Sequence, residues 1–214
     1  MKVLVTGSSS GIGLATAKKY LSNGHEVIGF DIQEAVIVDP HYCHIQRDIR
    51  DELPEIDDLE ILILCAGTID EEFALETNLA ATMKMAEKYA LSEKLKSVLI
   101  VASASSRNGA EFPNYVASKG GLVTYTKNLA VRLAKRGITC NSISPGAVVT
   151  PLNSHILENP DLFRQVSDES LLKKWAMPEE IAEWIYFLTV VNKSMTGEDL
   201  LIDNGEMLRS NFIW

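Results

Sequence analysis

Apolar residues come in short bursts along this chain, each followed by a longer amphipathic or turn-forming stretch. The bursts are Lys2 to Thr6, Glu26 to Phe30, Cys43 to Gln46, Glu60 to Leu64, Ser97 to Val101, Thr139 to Ile143 and Asp199 to Ile202. They are too short for helices and mostly rich in Val, Ile and Leu, so they read as buried strands. Leu14 to Ser22, Glu71 to Leu91, a stretch through Tyr115 and Lys119 to about Arg136, and a segment opened by Pro178-Glu179-Glu180 read as helices. In the last, Pro lies in the first turn and acids lie at the positive end of the helix dipole. Strands alternating with helices predict a Rossmann-like α/β fold. Its sheet would be parallel and doubly wound, with about seven strands and helices on both faces.

The intervening segments refine this picture. Asp48 to Glu60 is acidic and has room only for a stub of helix, so it predicts a solvated acidic face. Thr150 to Lys174, with Pro151 and Pro160, reads as a loop and short helix over a pocket, a small lid around residues 150–176. Leu152, Ile156, Leu157, Leu162 and Phe163 would line that lid or form local core. The tail Asn211-Phe212-Ile213-Trp214 is apolar for a chain end and would fold back or pack on another subunit. No internal repeat or low-complexity linker interrupts the pattern, so residues 1–214 are expected to form a single domain.

Composition narrows the function. The formal net charge of −9 argues against a nucleic-acid surface. No apolar run has the length of a membrane span, and no signal peptide is evident, so a cytoplasmic protein is expected. Three scattered cysteines, Cys43, Cys65 and Cys140, fit reduced thiols better than a disulfide framework. His41, Cys43 and His44 do not converge on a strand, because 41 and 43 face one way and 44 the other; no metal site is expected.

Ligands of doubly wound sheets bind beyond the C-terminal ends of the strands. Gly7-Ser8-Ser9-Ser10-Gly11-Ile12-Gly13 links the first strand to the first helix. Glycines there let the backbone approach a pyrophosphate, and the helix N-terminus offers unpaired N–H groups. Asp31 ends the second strand, where an acid accepts hydrogen bonds from adenosine ribose hydroxyls and repels a 2′-phosphate. No Arg or Lys lies in the Gly-rich turn or just after Asp31, so NAD(H) is favoured over NADP(H). Ala66-Gly67, Ser103 and Pro145-Gly146 fall at other strand ends, converging on one site.

Tyr115 and Lys119 stand one helical turn apart. A phenol normally releases its proton near pKa ~10. An ammonium roughly 5 Å away, at an effective dielectric of about 20, favours the phenolate by roughly 3 kcal/mol, or about two pKa units. That would make Tyr115 a proton donor or acceptor near neutral pH. On spacing alone, such a pair is usually an ordinary surface contact.

Taken in order, these motifs resemble the short-chain dehydrogenase/reductase superfamily over almost the whole chain. Thr6-Gly7-Ser8-Ser9-Ser10-Gly11-Ile12-Gly13 matches its TGxxxGIG turn, and Cys65-Ala66-Gly67 the end of its NNAG element. Tyr115-Val116-Ala117-Ser118-Lys119 matches YxASK, and Pro145 to Thr150 matches PGxxxT. Pro178 to Ala182 and Thr196 to Gly205 match later landmarks. The resemblance implies an oxidoreductase joining a secondary alcohol and a ketone, with Tyr115 as general acid/base. Lys119 would tune Tyr115 and hold the nicotinamide ribose. Ser103 would bond the substrate oxygen, with Ser105 the second candidate because Ser103 lies one residue closer to Tyr115 than is common. Asn78 would hold a helix break and a relay water, and Asp48 would approach the adenine. Thr150 and the backbone near Val148 would fix the nicotinamide amide. Cys65 stands where the family usually has Asn, and the 48–60 segment is too short for the family's usual helix. The resemblance also implies a homodimer or homotetramer, built through Glu71–Leu91 and Asn114–Arg136. A catalytically idle NAD(H) sensor or scaffold could have lost Ser, Tyr or Lys; all three are present. An epimerase of the larger related type would need a bigger C-terminal part.

Overall fold

In the computed structural model, residues 1–110 and 112–208 are described; the expectation for the 211–214 tail lies outside them. Seven parallel strands form one sheet: β1 (Lys2–Thr6), β2 (Glu26–Asp31), β3 (Tyr42–Gln46), β4 (Ile61–Leu64), β5 (Ser97–Val101), β6 (Thr139–Pro145) and β7 (Asp199–Ile202). Their order is β3-β2-β1-β4-β5-β6-β7, so the winding reverses between β1 and β4 and opens a crevice at their C-terminal ends. The Rossmann-like reading of the hydrophobic pattern is correct.

Val3 to Val5 of β1, Ile61 to Leu64 of β4 and Val98 to Val101 of β5 are apolar without a break because both faces of the sheet are covered. Val3 and Val5 of β1 point to one face, with Tyr20 of α1 (Gly11–Ser22) and Ile181 and Ile185 of α7 (Pro178–Tyr186). Leu4 points to the other, with Met85 of α2 (Thr82–Tyr89) and Leu122 and Leu129 of α4 (Pro113–Leu133). This period-two split builds two cores and fixes where each helix lies.

Two local expectations are corrected. Residues 48–60 form no helix, and they are not simply a solvated face. Ile49, Leu53 and Leu59 are buried (5, 6 and 0% exposed) while Asp51, Glu52 and Glu55 face water. Lys84 Nζ pins the segment by donating to the carbonyls of Arg50 (3.0 Å) and Asp51 (2.7 Å). Backbone–side-chain anchoring thus replaces the missing helix. The Glu71–Leu91 stretch is not one α-helix: a π-helix, Leu75–Ala81, precedes α2. After β5 a short helix, α3 (Ser105–Asn108), carries Ser105 and is stopped by Gly109 at φ 71°.

Beyond β6 come a 3₁₀ turn, Pro151–Asn153, then α5 (Ser154–Leu157) and α6 (Pro160–Ser167). Asn159 caps α6 by accepting from the Leu162 N–H (3.2 Å). Phe163 packs edge-on against Trp175, ring centroids 5.4 Å apart. Among the described residues no helix is long and apolar enough to cross a membrane.

Candidate active site

The turn after β1 has the shape of an anion cradle. Gly7 is left-handed (φ 70°), and a Cβ there would meet the Ala66 backbone at 3.2 Å, so β1 and β4 touch across the crevice. Gly13 permits closer packing still: its Cβ would lie 2.1 Å from the Gly7 carbonyl oxygen. Ser10 is extended at the start of α1, its side chain caps nothing, and no acid occupies the first turn. The first N–H groups of α1 therefore lack an intrahelical acceptor or a side-chain cap, as a phosphate-binding helix end requires. Asp31, 8% exposed, accepts from the Ser9 N–H (2.9 Å) and the Gln33 N–H (2.9 Å). It ties the Gly-rich turn to the end of β2. These residues fit the diphosphate and ribose of a dinucleotide.

A cavity of about 360 Å³ continues from this crevice across the C-terminal ends of β4, β5 and β6. Ser103, Tyr115 and Lys119 line it with Ile12, Gly67, Pro145, Gly146, Val148 and Thr150. Gly7, Ser9, Ser10, Gly11, Gly13, Asp31 and Ala66 are not on its wall; they belong to the adjoining turn and crevice. Leu152 and Ile156 are on the wall, neither of them buried, so these two lid candidates are not local core.

Lys119 is 5% exposed, and its Nζ donates to the Val101 carbonyl (3.0 Å) at the end of β5. The same Nζ lies 5.7 Å from the centroid of the Tyr115 ring. A Cβ at Gly67 would stand 3.4 Å from that Nζ and 3.0 Å from Asn78 Oδ1, so the strand end must be small. Ser103 and Ser105 are both buried. Ser105 donates twice to the Ser103 oxygen, from Oγ at 2.9 Å and from its backbone N–H at 3.2 Å. Ser103 thus has its acceptor capacity filled and a hydroxyl hydrogen to give.

Asn78 is fully buried in the π-helix. Its Oδ1 accepts from the Thr68 N–H (2.7 Å) while Nδ2 donates to the Thr68 carbonyl (2.9 Å) and Ser118 Oγ (3.1 Å). Its side chain is a brace between the loop after β4 and α4, with both Nδ2 hydrogens used.

Asp48 does not join the cavity. It forms an ion pair with Arg50 (2.7 Å), whose hydrogen bond holds the Asp48 carboxyl below the usual carboxylate range. Arg50 in turn lies over the Phe73 ring (5.3 Å).

Several contributors escaped the sequence reading. Thr6 Oγ1 accepts both the Cys65 and Ala66 N–H groups (2.9 Å each), supplying backbone bracing although Cys65 replaces Asn. Burial pushes the Cys65 thiol up to about 12, so it stands on the cavity wall as a neutral group. Ser8 Oγ bonds Tyr42 Oη (3.1 Å), which bonds His44 Nδ1 (3.0 Å), whose Nε2 reaches the Gln33 carbonyl (2.9 Å). Thr6 and Ser8 sit inside the quoted motif, so position gave a signal. Tyr42 and His44 gave only strand alternation. Among the described residues no group of three or more His, Cys, Asp or Glu is placed to hold a metal ion.

A family model described as Enoyl-(Acyl carrier protein) reductase matches residues 66–206, about two thirds of the chain. The chain belongs to the short-chain dehydrogenase/reductase superfamily. It is 30% identical to a short chain dehydrogenase, prhI, of Penicillium brasilianum, over 94% of this chain and 95% of that protein. A 4-hydroxyisoleucine dehydrogenase solved in complex with NADH superposes with a TM-score of 0.86 at 27% identity, covering 98% of this chain and 99% of that one. A structure from Agrobacterium tumefaciens with bound NADP, 24% identical with a TM-score of 0.83, covers 97% of this chain and 96% of that one. At that identity it shows the fold alone. This short-chain dehydrogenase/reductase is thus an oxidoreductase-family protein whose relatives are dehydrogenases and reductases.

Proposed function

We propose that this chain is an NAD(H)-dependent oxidoreductase that interconverts a secondary alcohol and a ketone. What supports it is the meeting of Ser103, Tyr115 and Lys119 on one cavity wall, beside a Gly-rich helix start able to hold a diphosphate. Gly7, Ser9, Ser10, Gly11, Ile12 and Gly13 would hold the diphosphate, and Asp31 the adenosine ribose. Ala66, Gly67, Pro145, Gly146, Val148 and Thr150 would flank the nicotinamide. When bound, the nicotinamide gives or takes the hydride.

The chain's own groups handle the proton and the charge. Ser103, polarised by two donors from Ser105, donates a hydrogen bond from its hydroxyl to the substrate oxygen as charge develops there and keeps its own proton. Tyr115 gives that oxygen a proton in reduction and takes it in oxidation. The Lys119 ammonium, fixed by the Val101 carbonyl, keeps a positive charge beside the phenol and within reach of ribose hydroxyls. Asn78 acts by holding the loop and α4 in register; its filled side chain leaves any water-holding to its backbone. Asp48, committed to Arg50, would meet an adenine only through its backbone. Leu152 and Ile156 make the segment 150–176 a partly apolar lid on a single domain. The three free thiols suit a reducing cytoplasm.

The function is tested by screening alcohols and ketones with NAD(H) and NADP(H). Turnover with NADH on a ketone supports it; NADH binding without turnover across the panel favours an idle sensor. The cofactor assignment rests on Asp31. Asp31→Ala should raise the NADPH-to-NADH ratio of kcat/KM about tenfold or more, a change of at least ~1.4 kcal/mol. NADH use should also fall, because the Ser9 and Gln33 N–H groups lose their acceptor. An unchanged ratio would remove Asp31 from cofactor choice. We further propose a homodimer or homotetramer through the 71–91 and 114–136 segments, where Val131 of α4 is 76% exposed. A scattering mass equal to one chain would contradict it.

A further inference from the structure

The first turn of α4 carries Tyr115, yet α4 lacks a cap of its own. Phe112 occupies the N-cap position in extended conformation and has no side-chain acceptor. Pro113, the first helical residue, has no N–H to satisfy. The next two N–H groups are exposed to loss, since helix ends fray where donors lack partners. Both are met from another segment: Glu71 Oε2 accepts from the Asn114 N–H (3.0 Å) and Glu71 Oε1 from the Tyr115 N–H (2.9 Å). Asn114 Nδ2 donates back to the Glu71 carbonyl (2.9 Å), locking side chain and backbone together. The carboxylate also lies at the positive end of the α4 dipole, where negative charge is favoured.

The other end of the same residue is held too. The Tyr115 carbonyl accepts from Ser118 Oγ (2.6 Å), and that oxygen accepts from Asn78 Nδ2. Glu71 and Asn78 lie on either side of the start of the π-helix; Glu71 holds the Tyr115 N–H directly, and Asn78 holds the Tyr115 carbonyl through Ser118. We propose that Glu71 is a positioning residue for Tyr115: its carboxylate serves as the N-cap of α4 from a distance of more than forty residues and so fixes the phenol beside Lys119. The inference rests on the acid/base role proposed above for Tyr115. Glu72, the neighbouring acid, is exposed and accepts no bond from α4, so it is the control.

The test needs no substrate. Amide hydrogen exchange is measured on the full chain and on the Glu71→Ala, Glu71→Gln and Glu72→Ala variants. Phenolate absorbance is titrated in each, with and without Tyr115→Phe, so that subtraction isolates the Tyr115 signal. Glu71→Ala should speed exchange at Asn114 and Tyr115 by about tenfold or more. The Tyr115 titration should move upward toward the free-tyrosine value of ~10 as the phenol leaves the ammonium. Glu71→Gln keeps one acceptor oxygen and should fall between, with Glu72→Ala like the unaltered chain. A purely electrostatic Glu71 would move the titration downward when removed, and a merely stabilising one would leave it in place; either overturns the proposal. Unchanged exchange at Asn114 and Tyr115 would do the same. Should Glu71→Ala unfold the chain, the Glu71→Gln titration alone decides by the same signs. A Tyr115→Phe variant with full turnover would instead sink the acid/base role, while leaving the exchange result standing.

Discussion

Replacing Tyr115 with Phe is expected to lower kcat by about 10²- to 10⁴-fold, the usual worth of a positioned acid or base. The change removes one oxygen and leaves the ring that lies near Lys119 Nζ. The Gly-rich turn, Asp31 and the Lys119–Val101 bond are not touched. NADH affinity should therefore stay within about twofold, below ~0.4 kcal/mol. The loss should appear in kcat and kcat/KM alike, the pattern of an interaction made only in the transition state. Stopped-flow loss of NADH absorbance with the best ketone of the panel measures it. A Phe variant as fast as the native chain would take the phenol out of the chemistry.

Gly13→Ala is expected to have the largest effect on cofactor binding. The added carbon would stand 2.1 Å from the Gly7 carbonyl oxygen, and that oxygen belongs to backbone that cannot swing away like a side chain tip. The turn must open, separating Gly7 from Ala66 and turning the first N–H groups of α1 away from their common focus. Overpacking of this kind costs about 1–3 kcal/mol in stability. For a chain of this size that lowers Tm by roughly 2–4 °C per kcal/mol. NADH at a hundred times its Kd should raise the native Tm through about 2.7 kcal/mol of linkage. In Gly13→Ala that rise should vanish. A full NADH-induced shift in the variant would show that the turn does not hold the cofactor.

Much of the frame was legible because buried parallel strands announce themselves. Val3-Leu4-Val5, Ile61 to Leu64 and Val98 to Val101 are apolar at every position, which only a sheet covered on both faces permits. The site motifs were legible for a related reason: Gly7, Gly13 and the Tyr115–Lys119 turn are local in sequence. What escaped is made by contacts between distant segments. The resemblance gives Asn78 a helix break, which is the π-helix, but nothing near it in the sequence predicts that its side chain grips Thr68 and Ser118. Glu71 looks like one of two adjacent acids on a helix start, whereas it caps α4 across more than forty residues. The resemblance places Asp48 near an adenine, and it does not foresee that the carboxylate pairs with Arg50, two residues on. The acidic 48–60 segment hid three core residues because their spacing follows no regular period.

The central claim is that the nicotinamide lies between the Gly-rich crevice and the wall formed by Ser103, Tyr115 and Lys119. A crystal structure of the chain with NADH tests this most directly. The reactive ring carbon should lie beside the Tyr115 and Ser103 hydroxyls, leaving a gap of about 3–3.5 Å for the reacting carbon of a substrate. A nicotinamide bound elsewhere, or a dinucleotide that reaches Asp31 but leaves Tyr115 and Lys119 facing empty solvent, would contradict it.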